Sequence, residues 1–116
     1  MVDDSSIVRK IIGRIAFDLG FKVELASDGL EALAVCKKSM PTCVLLDWNM
    51  PNMDGLEFLR VLRTLPNGTE PKVMFCTMEK DEKNIEIAMN ATADGYITKP
   101  IDNHIIRAEF KKLKLV

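Results

Sequence analysis

Residues 42–47 of this 116-residue chain read TCVLLD, a short continuous apolar run that ends in the carboxylate of Asp47. A run of this kind is typical of a strand that is buried on both faces of a parallel sheet. Residues 72–76, KVMFC, form a second such run, and residues 96–98 form a last short one. We expect all three segments to be strands of one sheet.

Helical patterns separate these strands. Apolar residues recur at helical spacing in five places, at about residues 7–19, 30–36, 56–65, 82–91 and 103–113. Ser5 or Ser6 can cap the first helix, Gly20 can end it, and Asp28 can cap the second. Residues 21–25 alternate between apolar and polar side chains as a strand does. Strands that alternate with helices predict a parallel α/β sheet with helices on both faces.

The composition limits the kind of protein this can be. The length suits a single domain over residues 1–116, and a net charge of −1 provides no basic field to attract nucleic acid. No apolar run approaches the ~20 residues of a membrane helix, and no signal peptide opens the chain. Cys36, Cys43 and Cys76 lie in apolar stretches without a paired motif, which indicates core residues in a reducing, cytoplasmic setting.

Polar residues with complementary chemistry fall at the ends of separate predicted strands. The carboxylates are Asp3, Asp4 and Asp47, while Thr77 and Lys99 close two further strands. Ligand sites of such sheets lie at the carboxyl ends of the strands, so these groups should converge. Clustered carboxylates with oxygen ligands suit Mg²⁺, beside which an Asp can attack a phosphoryl group. A Lys and a Thr hydroxyl would then stabilise the transferred oxygens.

At this point the sequence resembles a known family. The segments that carry the resemblance are Asp3-Asp4-Ser5, residues 47–55 (DWNMPNMDG), Thr77 and residues 96–100 (YITKP). Together they resemble the signature of bacterial response-regulator receiver domains, and residues 47–55 are especially similar to the CheY-like, single-domain chemotaxis regulators. The resemblance covers nearly the whole chain, in order and with matching spacings.

The resemblance implies a fold and a function. The expected fold is flavodoxin-like, a doubly wound parallel five-stranded sheet in the order 2-1-3-4-5. The expected function is that of a phosphorylation-activated response regulator in a two-component system, in which Asp47 accepts a phosphoryl group from a sensor histidine kinase. The expected output is a changed binding surface for a phosphorylation-dependent protein target. A phosphorelay shuttle that passes phosphate to a histidine phosphotransfer protein is the alternative.

The resemblance also assigns roles to individual residues. Asp4, Asp47 and the backbone carbonyl of Asn49 would hold Mg²⁺, and Asp3 would act on the ion through water. The domain would catalyse its own Mg²⁺-dependent phosphorylation and dephosphorylation without being a true enzyme.

Three further residues would respond to the phosphoryl group. Lys99 would pair with it, and Thr77 would move toward it and open space for the switching aromatic Tyr96. The output surface would then be the face made by the fourth helix, the last strand and the last helix.

Two other functions on similar sheets fit the residues less well. A phosphohydrolase of the haloacid-dehalogenase type wants a second Asp two positions after the nucleophile, where this chain has Asn49. Asn cannot serve there as a general acid. A flavin carrier needs a phosphate loop after the first strand, where Asp3 and Asp4 would repel the phosphate.

Two positions and the short first strand depart from the family pattern. Met78 stands where a small residue is usual, and Thr92 stands where Gly often ends the fourth helix, a poor choice if that position has positive φ. Only Met1 and Val2 precede Asp3, so most of a central first strand would be absent, and its neighbours would be left with unpaired backbone groups. Either upstream residues complete the strand, which we favour, or another chain does, or the strand stays truncated.

Overall fold

The computed structural model describes residues 1–77, 82–98 and 103–115. Helices and strands alternate along these residues, as predicted. The helices are α1 (Ser6–Asp18), α2 (Gly29–Lys38), α3 (Gly55–Thr64), α4 (Glu82–Asn90) and α5 (Asn103–Lys112). The strands are β1 (Cys43–Leu46), β2 (Lys72–Thr77) and β3 (Gly95–Thr98).

The three strands form one parallel sheet in the order β1-β2-β3. Val2 extends this sheet, because it makes one parallel bridge to Leu46 of β1 and another to Ala26. Reading across the sheet therefore gives Ala26, Val2, β1, β2 and β3. This is the predicted 2-1-3-4-5 order, and the expected flavodoxin-like arrangement is confirmed.

The predicted strand at residues 21–25 is wrong, because the structure has no strand there. Only Ala26 makes a bridge, with Asp3 N–H donating to Ala26 O over 3.1 Å. A strand is maintained by hydrogen bonds to its neighbour, and only Met1 and Val2 run beside this segment. The first strand is itself reduced to one bridging residue on each side, as expected from the sequence.

Helices cover both faces of the sheet, which places a core on each side. One core joins α2, α3 and α4 to one face, and its fully buried members include Phe58, Leu62 and Phe75. The other joins α1 and α5 to the opposite face and includes Ile106 and Phe110. Because both faces are buried, the strands are apolar throughout, as the sequence of residues 42–46 indicated.

Side-chain caps begin the first three helices. The acceptors are Ser5 for α1, Asp28 for α2 and Asp54 for α3, each bonded to a backbone N–H in the first turn. The N–H of Glu31 and the side-chain amide of Asn52 both donate to Asp28 and lower its pKa. These caps fix where each helix leaves the rim of the sheet.

The cysteines lie in or beside the core, as the sequence predicted. Cys36 and Cys76 are buried and form no disulfide, and Cys43 is half-buried, with its pKa raised to about 12 by burial. His104 is exposed on α5. None of the helices in the described residues has the length and apolar character needed to cross a membrane.

Thr92 has the positive φ, 75°, that made this departure from the family pattern a concern. Arg63 binds it twice, with Nε donating to Thr92 Oγ1 over 2.9 Å and Nη2 donating to Thr92 O over 2.9 Å. The same guanidinium reaches the carboxylate of Asp94 at 3.2 Å. The surrounding contacts thus hold a β-branched residue in a conformation that it rarely adopts.

We expect Thr92→Gly to stabilise the protein by about 0.5–1 kcal/mol, because glycine adopts this φ without steric cost. Thr92 is exposed, so the lost bond to its hydroxyl costs little. Urea denaturation of both proteins measures the difference. Thr92→Ala is the control, since it removes the same hydroxyl but keeps the Cβ, and it should give no such gain. Equal gains from Gly and Ala would contradict backbone strain.

Candidate functional site

Asp47 follows the last residue of β1 and lies at the carboxyl edge of the sheet. Its residue is only 8% exposed. The Trp48 N–H donates to Asp47 Oδ1 over 2.8 Å, and the Asp47 N–H donates to Val2 O over 2.9 Å. The truncated first strand therefore still positions the backbone of Asp47.

Asp3 is buried more deeply, at 1% exposed. Its Oδ1 accepts the Ser5 N–H at 2.9 Å, and its backbone carbonyl accepts Arg9 Nη1 at 2.6 Å. Arg9 was not among the predicted site residues, although its position on α1, one turn after Ser5, could have suggested contact with the strand end. The first turn of α1 thus fixes Asp3 from two directions.

Asp3, Asp4 and Asp47 form the acidic cluster. Each offers one carboxylate oxygen, and these oxygens all lie within 4.8 Å of one another. Asp4 is exposed, so the cluster opens to solvent on its side. Hard oxygen donors at this separation are suited to Mg²⁺, which keeps several waters while binding to one or two carboxylates. The three carboxylates predicted from the sequence are therefore brought together.

Gly55 brings the loop after Asp47 back against the strand end. Its N–H donates to Trp48 O over 2.8 Å. A Cβ built on Gly55 would collide with the backbone carbonyl of Asp47 and lie 2.8 Å from the Phe75 ring. Gly55 belongs to the family segment at residues 47–55, but this close approach, which requires a residue without a side chain, was not predicted.

The remaining predicted site residues are described to different extents. Asn49 lies in the loop after β1 with an exposed side chain. Thr77 is the last residue of β2, at the same edge of the sheet as Asp47. Lys99, like Met78, lies outside the described residues. Their roles beside the acidic cluster remain predictions.

An aromatic series leads away from the acidic cluster. The rings of Trp48 and Phe75 have centroids 5.0 Å apart, and those of Phe75 and Tyr96 have centroids 6.2 Å apart. Phe75 is fully buried, whereas Trp48 and Tyr96 are half-buried. Tyr96, the predicted switch residue on β3, is therefore linked to the loop of Asp47 by contacts through one buried ring.

The fold and the cluster define a doubly wound α/β domain with an acidic pocket at the carboxyl ends of its strands. The family model for the response regulator receiver domain matches residues 1–111, and the chain belongs to this family. The chain is 35% identical to the chemotaxis protein CheY-3 of Vibrio cholerae over 97% of this chain and 88% of that protein. It is 32% identical to CheY of Pseudomonas aeruginosa, over 97% and 92% of the two chains.

Solved structures resemble the fold closely. CheY4 of Vibrio cholerae matches with a TM-score of 0.90 and 29% identity, covering 96% of this chain and 92% of that chain. CheY in a CheX–CheY–BeF₃–Mg²⁺ complex from Borrelia burgdorferi matches with a TM-score of 0.90 and 27% identity, covering 97% and 85%. The chain is thus a CheY-like response regulator of the two-component type.

Family membership bears on the other functions that the sequence left open. Receiver domains are phosphoacceptor signalling domains rather than true enzymes, and they generally bind Mg²⁺ at an acidic pocket. The acidic cluster lies where that pocket is expected. A phosphohydrolase and a flavin carrier are therefore set aside.

Proposed function

We propose that this protein is switched by phosphorylation of Asp47, which receives the phosphoryl group from a sensor histidine kinase. The observation that carries the proposal is the burial of Asp47 at the end of β1, with its carboxylate oxygen within 4.8 Å of those of Asp3 and Asp4. A carboxylate held in this way is oriented for attack, and the acidic neighbours would be costly together without a cation.

The ligands proposed for Mg²⁺ are Asp4, Asp47 and the backbone carbonyl of Asn49, with Asp3 acting through water. When bound, the ion would neutralise charge on the phosphoryl oxygens. Asp3 suits an indirect role because the Ser5 N–H already occupies one of its oxygens at 2.9 Å. Asp4 suits a direct role because it is the exposed member of the cluster.

Thr77 and Lys99 are the proposed contacts of the transferred phosphoryl group. Thr77 ends β2, the strand that pairs with β1, so its position lies beside the strand end that precedes Asp47. Lys99 follows directly after β3, which pairs with β2 on the other side. A hydroxyl and an ammonium group there would stabilise the three phosphoryl oxygens.

The proposed output is a change at the surface formed by α4, β3 and α5. Ile87, Met89 and Ile105 are exposed apolar side chains on these helices, and Tyr96 lies half-buried on β3. Movement of Thr77 toward the phosphoryl group would allow Tyr96 to turn inward. A protein that binds only the phosphorylated state would recognise this surface. The CheX–CheY–BeF₃–Mg²⁺ structure from Borrelia burgdorferi is a complex of a relative with another protein.

A small phosphodonor tests the proposed function directly. The protein is incubated with acetyl phosphate, with and without Mg²⁺, and its intact mass is measured. We expect an added mass of one phosphoryl group that requires Mg²⁺. A protein that gains no phosphoryl group with Mg²⁺ present, although it is folded by circular dichroism, would contradict the proposal.

We expect Asp4→Ala to weaken Mg²⁺ binding by at least about tenfold, because it removes one of the proposed ligands. Trp48, which adjoins Asp47 and is the only tryptophan, should report the titration by fluorescence. Asp18→Ala is the matched control, since Asp18 is an exposed carboxylate paired with Arg14 at the other end of α1. If Asp4→Ala titrates like Asp18→Ala, Asp4 is not a ligand.

A further inference from the structure

The loop that joins β1 to α3 is tied to the start of α2 by a hydrogen bond. The Asn52 side-chain amide donates to Asp28 Oδ2 over 2.8 Å, between residues 24 positions apart in the chain. Asp28 Oδ1 accepts the Glu31 N–H at 2.9 Å. Each carboxylate oxygen of Asp28 therefore has its own partner, so that one oxygen caps α2 and the other holds the loop.

Close packing makes a second contact between the loop and α2. Gly29 is the first residue of α2 and is buried. A Cβ built on it would lie 2.8 Å from Met53 Cγ and 2.9 Å from Met53 O. The φ of Gly29 lies outside the left-handed region, so the nearness of the loop, rather than backbone conformation, favours glycine here. The loop thus rests directly against the helix, one residue after the hydrogen bond of Asn52.

Asn52 meets two requirements at this point of the loop. Its φ is 66°, in the left-handed region that Asn tolerates better than most residues. Its side-chain amide also supplies the donor to Asp28. Glycine would meet the first requirement and not the second, so Asn52→Gly removes the hydrogen bond while allowing the same backbone conformation.

The ends of the loop are held without the help of α2. One end continues β1, and at the other the Gly55 N–H donates to Trp48 O over 2.8 Å. The contacts of Asn52 and Met53 join the middle of the loop to α2, and this middle part includes Asn49. A backbone carbonyl binds an ion more tightly when its loop is already ordered, because the ordering does not then oppose binding.

We propose that Asn52 and Asp28 are positioning residues for Mg²⁺, whose hydrogen bond holds the loop so that the Asn49 carbonyl can bind the ion. This inference rests on the proposed function, in which that carbonyl is a ligand. Neither positioning residue is itself a proposed ligand. Loss of their hydrogen bond should weaken Mg²⁺ binding about fivefold, less than the loss of a ligand's supporting contact usually does, because the bond is exposed.

Asn52→Gly tests the proposal in a Mg²⁺ titration of the protein, followed by the midpoint of the change in Trp48 fluorescence. The matched control is Asn67→Gly, because Asn67 is also an exposed Asn with a φ of 62° and lies in the turn before β2. The control should bind Mg²⁺ like the wild type. An equal loss of affinity in both variants would overturn the proposal, because the loss would then come from replacing Asn by Gly in general.

Phosphoryl uptake distinguishes positioning from a merely structural role. In Asn52→Gly, uptake from acetyl phosphate should be about fivefold slower at Mg²⁺ concentrations below the wild-type Kd and should recover when Mg²⁺ is saturating. A structural role alone would lower the free energy of unfolding in urea and leave the Mg²⁺ dependence of uptake unchanged. That result would overturn the proposal.

Exchanging the two side chains provides a rescue. Asn52→Asp sets one carboxylate against another and should also weaken Mg²⁺ binding, although added negative charge by itself would strengthen it. Combining it with Asp28→Asn restores a donor and an acceptor in the reverse direction, keeps the net charge and retains a good cap for α2. The double variant should bind Mg²⁺ within about twofold of the wild type.

The titrations separate failure of this inference from failure of the proposed function. A double variant as weak as Asn52→Gly, or wild-type affinity in Asn52→Gly, would overturn the positioning role alone. A wild-type protein that does not bind Mg²⁺ would overturn the proposed function and the positioning role with it.

Discussion

Asp47→Asn is expected to reduce phosphoryl uptake from acetyl phosphate by at least about a thousandfold, to background level. The amide has nearly the shape of the carboxylate, so the hydrogen bond from Trp48 N–H at 2.8 Å can persist. An amide oxygen is not a nucleophile toward phosphorus, however, and the cluster also loses one of its three carboxylates. Intact mass spectrometry over time measures the rate.

Asp54→Asn is the matched control for this change. Asp54 lies in the same loop but serves as the cap of α3, accepting the Glu57 N–H at 2.8 Å. Asn is as good a cap as Asp, so this variant should fold and take up phosphate like the wild type. Wild-type uptake by Asp47→Asn would show that another residue is the acceptor.

Gly55→Ala is expected to destabilise the protein by about 3 kcal/mol. The added methyl group would meet the backbone carbonyl of Asp47 and the ring of Phe75, and neither can move without disturbing the core. The hydrogen bond from Gly55 N–H to Trp48 O would be strained as well. Urea denaturation followed by circular dichroism measures the free energy of unfolding, and Trp48 fluorescence should change in the native state.

Gly20→Ala separates this steric effect from the general cost of replacing glycine. Gly20 has a φ of 98°, and a Cβ there would meet nothing within 4 Å. Its replacement should cost about 1 kcal/mol through backbone conformation alone and leave the site intact. If both variants lose the same free energy, close packing at Gly55 is not what requires glycine.

Local sequence patterns predicted those elements whose formation depends on residues close together in the chain. The continuous apolar runs at residues 43–46 and 72–76 can be buried only between two helical layers, and the caps at Ser5 and Asp28 act within one turn. The alternation at residues 21–25 was misleading because a strand also needs a partner. Only Ala26, the residue opposite Val2, is bridged.

The acidic cluster was predictable for a similar reason. Parallel strands carry their ends to one edge, so Asp3, Asp4 and Asp47 had to meet once the order of strands was known. What supports these residues was not predictable. Gly55 and Arg9 act through contacts between segments that are distant along the chain or that join side chain to backbone, and such contacts leave no periodic signal.

The aromatic series allows the separation of Tyr96 and Trp48 to be followed by their intrinsic fluorescence. The chain has one tyrosine and one tryptophan, and Phe75 is the only ring between them in the series described above. Tyr96 and Trp48 are within the range over which tyrosine passes excitation energy to tryptophan. Part of the light absorbed by Tyr96 would therefore be emitted by Trp48 beside Asp47. The efficiency of that transfer depends on the separation and tilt of the two rings and can be measured without an attached dye.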